Sequence, residues 1–161
     1  GTVNPTSMGL WALKDGVWYR VDEYYYDSRA AGRQKTDEEY VDALCELTRG
    51  RRIERLLVDP SAASFIETLR RRGFSVARAN NAVADGLRVT ADLLKRRKIV
   101  ICRNCTDCLR EIALYRWADG GGHDAPRKED DHAMDEMRYF AMSVAARRTA
   151  MPTVRAVERA T

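Results

Sequence analysis

Apolar and polar positions alternate weakly from Met8 to Leu13, break at Lys14-Asp15-Gly16, and resume from Val17 to Tyr26 in a run dense in aromatic and β-branched residues. Period two predicts two strands, and Asp-Gly between them is a tight-hairpin signal. Asp27 to Lys35 reads as a loop. Thr36 and Glu39 form a capping box that opens a helix to about Thr48, with Tyr40, Leu44 and Leu47 as its stripe. The apolar run Ile53–Val58 predicts a strand buried on both faces, ending at Asp59-Pro60. A helix follows from Ser61 to Arg72, with Ala62, Phe65, Ile66 and Leu69 inward and Gly73 as its stop. Phe74–Ala79 and Ile99–Cys102 read as strands, Ala82–Arg97 and Cys105–Trp117 as helices.

After a glycine-rich loop, a last helix starts near Asp131. Ala133, Met137, Phe140, Ala141 and Val144 make its core stripe, while Asp131, His132 and Asp135 share the opposite side. A hairpin followed by alternating strands and helices implies an α/β fold with a mixed sheet flanked by helices. The expected domain spans residues 1–146, and residues 147–161 read as a basic, flexible tail.

Composition narrows the classes. The chain has 161 residues, 45% hydrophobic and 32% charged, which suits one folded domain rather than a disordered segment. No apolar run reaches membrane-spanning length, and no secretory signal opens the chain. A formal charge of +4 permits a polyanionic partner without requiring one. Arginines and lysines gather at predicted element ends: Arg49, Arg51, Arg52 and Arg55, then Arg70 to Arg72, then Lys95 to Lys98. Those positions suit phosphates, and cations also favour helix C-termini. Cys102, Cys105 and Cys108 are spaced by three, but a structural zinc site needs four ligands in paired knuckles. Reduced, partly buried thiols in an intracellular protein are the expectation. No phosphate-binding glycine loop is present in the sequence.

The candidate chemistry is carboxylate chemistry. Asp59 falls at the carboxyl end of a predicted strand, where functional groups gather in such sheets; capping the next helix is its plainer reading. Asp131, His132 and Asp135 could face it, or could form a solvated acidic helix start. Two carboxylates about 4 Å apart repel by roughly 4 kcal/mol at an effective dielectric of 20, so both stay ionised only beside a cation. Oxygen donors favour Mg²⁺ or Mn²⁺, and a pair of such ions suits phosphodiester cleavage.

Five blocks carry a resemblance. They are Gly1-Thr-Val-Asn-Pro-Thr-Ser-Met-Gly-Leu-Trp11, Asp22-Glu-Tyr-Tyr-Tyr-Asp-Ser-Arg29, Thr36-Asp-Glu-Glu-Tyr40, Val58-Asp-Pro-Ser-Ala-Ala-Ser-Phe65 and Asp131-His-Ala-Met-Asp-Glu-Met-Arg-Tyr139. In this order they resemble the C-terminal nuclease domain of phage terminase large subunits, from residue 1 to about residue 145. The resemblance implies an RNase H-like fold and two-metal (Mg or Mn) hydrolysis of concatemeric double-stranded DNA during packaging. It implies the terminase small subunit and the portal protein as partners, no membrane, and the cytoplasm of the bacterial host as location. By the same resemblance Asp59 and Asp135 are metal-binding catalytic acids, with Asp131 a further metal candidate. His132 would assist catalysis, and Arg127 and Lys128 would contact DNA phosphates.

The family's first catalytic Asp lies on the first strand, just before the Gly-Thr-x-Asn-Pro segment with which this sequence begins. The first strand is therefore expected to be truncated, and cleavage by this chain to be weak or absent. The alternative is a non-catalytic DNA- or portal-binding module of the packaging machinery with the same fold. A resolvase or an RNA–DNA hybrid nuclease is a further option.

Overall fold

The computed structural model describes residues 6–119 and 131–150. Strands β1 (Thr6–Lys14) and β2 (Val17–Tyr26) form an antiparallel hairpin, and β5 (Ile99–Ile101) adds parallel to β2. β3 (Leu56–Val58) and β4 (Val76–Arg78) form a separate parallel pair. Between and after the strands come α1 (Ser28–Ala31), α2 (Asp37–Leu47), α3 (Ala63–Arg71), α4 (Val83–Lys95), α5 (Thr106–Asp119) and α6 (His132–Ala150). The mixed, helix-flanked α/β architecture expected from the sequence is present and is consistent with an RNase H-like fold.

Local chemistry explains most boundaries. Asp15 (φ 51°) and Gly16 (φ 76°) are both left-handed, as a two-residue hairpin turn requires. The Thr36–Glu39 capping box is formed reciprocally, with N–H to oxygen distances of 3.2 and 2.8 Å. Helix α3 ends in a Schellman motif: Gly73 has φ 89°, its N–H donates to Arg70, and the Phe74 N–H donates to Leu69. Arg97, at φ 54°, ends α4 in the same way despite its side chain.

Three expectations need correction. Ile53 is 40% exposed and lies before β3, because Glu54 and Arg55 interrupt the apolar run. The second strand of that pair is confined to Val76–Arg78. The expected loop after β2 contains the short α1, capped by the Asp27 carboxylate through the Arg29 and Ala30 N–H groups. At the far end of the chain, α6 runs to Ala150, and residues 151–161 lie outside the described residues.

Two apolar clusters result. Met8, Leu56 and Phe65 pack against Val41, Leu44, Val58, Ile66 and Leu69. The larger cluster joins Leu93, Ile99, Cys105 and Cys108 to Ala133, Met137, Ala141 and Val144 of α6, with Trp11, Trp18 and Phe140 against it. Trp11 stacks on Phe140 at 4.1 Å between ring centroids. The α6 stripe is therefore as the periodicity predicts. Cys105 and Cys108 are core residues, and burial pushes their thiols up to about 11 and about 12.

Inside this larger cluster lies a charge. Strand pairing slips between Leu10 and Trp11, so Trp11 sits opposite Arg20 while Leu10 sits opposite Asp22. The bulge at Val21 turns Arg20, Glu23 and Tyr25 to one face, which regular alternation would not do. Arg20 is fully buried there. It is paired with Glu136 of α6 and with Glu23 (3.3 Å), and the Trp11 indole N–H also donates to Glu136 (3.2 Å). Burial alone would lower the Arg20 pKa; the charge and hydrogen bond of Glu136, together with the charge of Glu23, reverse that and raise it. Gly9 lies against the pair, where a Cβ would collide with both Arg20 and Glu136.

Arg20→Ala leaves Glu136 and Glu23 without their buried cation. It is expected to lower unfolding stability by about 3–5 kcal/mol in urea titration; a loss below about 1 kcal/mol would contradict this reading of the network.

Candidate functional site

The site forms where β3 and β4 end. Asp59 directly follows β3, and Asn80-Asn81 follow β4. The Ala79 N–H donates to the Val58 carbonyl (2.9 Å), which keeps the two exits side by side. Asp59 does not cap α3, whose N-cap is Ala62. Its carboxylate instead closes an Asx turn on the Ser61 N–H (2.9 Å) and accepts from the Tyr139 hydroxyl of α6 (3.0 Å). Partial burial works to raise the Asp59 pKa. Hydrogen bonds from the Ser61 N–H, Tyr139, the Ser61 hydroxyl and Asn81 overcome it and hold the carboxyl below its usual value. Burial, then the Asp59 hydrogen bond and the Asp135 charge, push Tyr139 well above its own usual value. Asp59 is thus ionised and Tyr139 a neutral donor at neutral pH.

Asp135 comes from α6. One of its oxygens accepts from Arg138 (2.9 Å), and Arg138 also donates to the Asn81 and Ala82 carbonyls (2.9 and 2.8 Å). The guanidinium lies 4.9 Å from the centroid of the Tyr139 ring. Arg138 therefore ties the acid-bearing helix to the β4 exit. Its stem runs over Gly86 of α4, where a Cβ would fall 2.6 Å from Cδ. A glycine inside a helix is explained here by close approach.

Tyr139, one turn after Asp135, is thus hydrogen-bonded to Asp59 and feels the Asp135 charge. His132, half-buried, begins α6 one turn before Asp135. Asp131 precedes the helix, and its carbonyl accepts from the Asp135 N–H (2.7 Å). Arg127 and Lys128 lie outside the described residues. Among the described residues, no cluster of three or more His, Cys, Asp or Glu side chains is arranged to hold a metal ion. The sequence reading missed Tyr139, Arg138 and Asn81. Tyr139 was detectable, since four residues at 100° each put it about 40° from Asp135 on the helix.

The start of α6 is fixed by a carboxylate from another helix. Glu111 of α5, fully buried, accepts from the Met134 N–H (2.9 Å) and the Tyr25 hydroxyl (3.0 Å), with the Ala133 N–H as a further donor. Glu23 does the same for α5, accepting from the Asp107 N–H (2.7 Å) and the Cys108 N–H (3.2 Å). Each helix thus has its otherwise unpaired first-turn donors satisfied from a distant element.

Burial pushes Glu111 up to about 7, against the opposing pull of the Met134 N–H, Tyr25, the Ala133 N–H and Arg110. A carboxyl raised in the folded state contributes stability that is complete below its unfolded value and lost as pH rises through about 7. Glu111→Gln removes this dependence. Its stability relative to the native chain should rise by on the order of 2–3 kcal/mol between pH 5 and pH 8 in thermal or urea unfolding; a pH-independent difference would contradict the shift.

No protein-family model matches the chain, and no curated protein sequence does. Solved structures do. The large terminase of a thermophilic bacteriophage, in complex with ADP, superposes with a TM-score of 0.80 at 41% identity, over 90% of this chain and 38% of that one. The same terminase in complex with ATP-γ-S gives 0.79 and 43%, over 88% and 37%. A third structure of that terminase gives 0.80 and 42%, over 90% and 38%. This chain therefore spans 38% or less of the length of these large terminases. Among the described residues, no helix is long and apolar enough to cross a membrane. By fold and by sequence alike, the chain is related to part of a phage large terminase.

Proposed function

We propose that this chain is the metal-dependent DNA endonuclease domain of a phage terminase large subunit, cutting concatemeric double-stranded DNA during genome packaging. The observation that carries the reading is the meeting of Asp59 with the Asp135 face of α6 around Tyr139, in a chain 41% identical to the large terminase of a thermophilic bacteriophage. Double-stranded DNA, the terminase small subunit and the portal protein are its partners in this reading, and the host cytoplasm its location.

The donor set fits Mg²⁺ or Mn²⁺. Asp59 and Asp135 offer carboxylate oxygens, with Asp131 a further oxygen donor one turn before Asp135. Ions of this kind complete their coordination with water and substrate phosphate, so a few carboxylates suffice. The chemistry that such a pair supplies when bound is the clamping of the attacking and leaving oxygens in an in-line phosphodiester displacement.

The chain's own residues prepare that step. The Ser61 N–H and the Tyr139 hydroxyl fix both oxygens of Asp59 and keep it ionised. Arg138 fixes one oxygen of Asp135. Fixed donors of this kind need no reorganisation when charge develops at the phosphate. His132, one turn before Asp135, is the proton-transfer group available on the same side of α6, or a hydrogen-bond donor to the scissile phosphate.

Plasmid nicking with Mn²⁺, by the full large subunit that carries this domain, tests the reading. Asp59→Asn and Asp135→Asn are each expected to reduce nicking at least about 100-fold, given what loss of one preorganised electrostatic group costs, with thermal unfolding little changed. Nicking that survives either substitution in a folded chain would overturn the reading and favour a non-catalytic packaging module.

A further inference from the structure

Beside Tyr139 lies a cleft of about 370 Å³, between β3–β4 and the helices α4 and α6. Three arginines line it from three parts of the chain: Arg55 before β3, Arg78 ending β4, and Arg88 on α4. Arg78 is exposed, and its side chain makes no hydrogen bond or ion pair among the described residues. Arg88 faces Asp85 at 3.8 Å, with both side chains at least 70% exposed. Such a pair contributes little and yields readily to a stronger anion. Arg55 donates to the Ser143 hydroxyl at 3.4 Å, a long bond to a neutral group. With Asp85 counted against the three arginines, the cleft wall carries two positive charges in excess.

Leu57, Val89 and Met142 give the same cleft an apolar floor. Arginines above an apolar floor suit a ligand that is anionic along one edge and flat or apolar along the other. Guanidinium groups pair with phosphates, while apolar and guanidinium surfaces accept sugars and base faces. The volume is at the small end for ligand pockets, which hold drug-sized molecules. A duplex, whose major groove alone is about 12 Å wide, is too broad to enter. One strand is not. Tyr139, on the cleft wall, is hydrogen-bonded to Asp59, so a strand lying in the cleft runs toward that acid.

We propose that this cleft holds one unpaired nucleic-acid strand, with Arg55, Arg78 and Arg88 on its phosphates and the apolar floor beneath its sugars and bases. The inference deepens the nuclease reading by naming the form of substrate beside the cut, but strand binding itself requires no metal.

The test is fluorescence anisotropy of a short labelled oligothymidylate and of a duplex of equal length, in EDTA and over a salt series. The full chain is compared with R55Q/R78Q/R88Q and with R49Q/R96Q/R110Q, a control that removes three exposed arginines in local pairs. The native chain should bind the single strand about tenfold more tightly than the duplex. The cleft variant should lose about tenfold or more, and its salt slope should fall by about 2, the sum of three phosphate contacts at about 0.7 each. The control should lose less than about threefold. Equal losses in the two variants, duplex binding as tight as strand binding, or no strand binding would overturn the proposal. Cleft-dependent strand binding, with nicking by the full large subunit unchanged by Asp59→Asn, would sustain it and remove the nuclease reading alone.

Discussion

A guanidinium buried to zero exposure must be enclosed by acceptors, and the demands of Arg20 organise what packs around it. One acceptor, Glu23, is three residues along the same strand, where alternation would turn it away. The bulge at Val21 brings it back. The other, Glu136, comes from α6 and fixes which side of that helix faces the hairpin. Gly9 is the residue on the neighbouring strand that leaves them room. An uncompensated charge here would destabilise the fold by several kcal/mol, so these features are mutually dependent.

The acid-bearing face of α6 follows from that anchor. With Glu136 turned to Arg20, Asp135 is turned about 100° away, toward Arg138 and the β4 exit. Glu111 holds the first turn of the helix, and Arg138 on Gly86 holds it against α4. Tyr139 then reaches across to Asp59. Polar contacts to four different elements thus set one helix in both rotation and height. The apolar stripe supplies the burial, and these contacts supply the register.

Features that depend on neighbours in sequence were legible from it. The Asp-Gly turn, the Thr36–Glu39 box, the Gly73 stop and the α6 stripe all use interactions spanning a few residues. Asp59 at a strand end was legible for the same reason. What was hidden depends on distant partners. Alternation alone separates Arg20 from Glu23, and only the bulge reunites them. Glu23 and Glu111 cap helices that begin far along the chain, so neither bears a local capping signature. The basic clusters were misleading in part. Arg72 pairs with Glu38 and Asp42 of α2, and Arg49 and Arg96 with carboxylates of the helices they follow. The cleft draws on Arg78 and Arg88, which stand singly in the sequence.

The proposed nuclease requires Asp59 and Asp135 to serve one metal site. Paramagnetic broadening of backbone amide resonances on titration with Mn²⁺ tests it most directly, without reliance on cleavage. The amides of Ser61, Asn81 and Asp135 should broaden together at the lowest Mn²⁺ concentrations, and Asp59→Asn should remove all three effects at once. Broadening at only one of the acids, or scattered over exposed carboxylates such as Glu46 and Asp92, would contradict it.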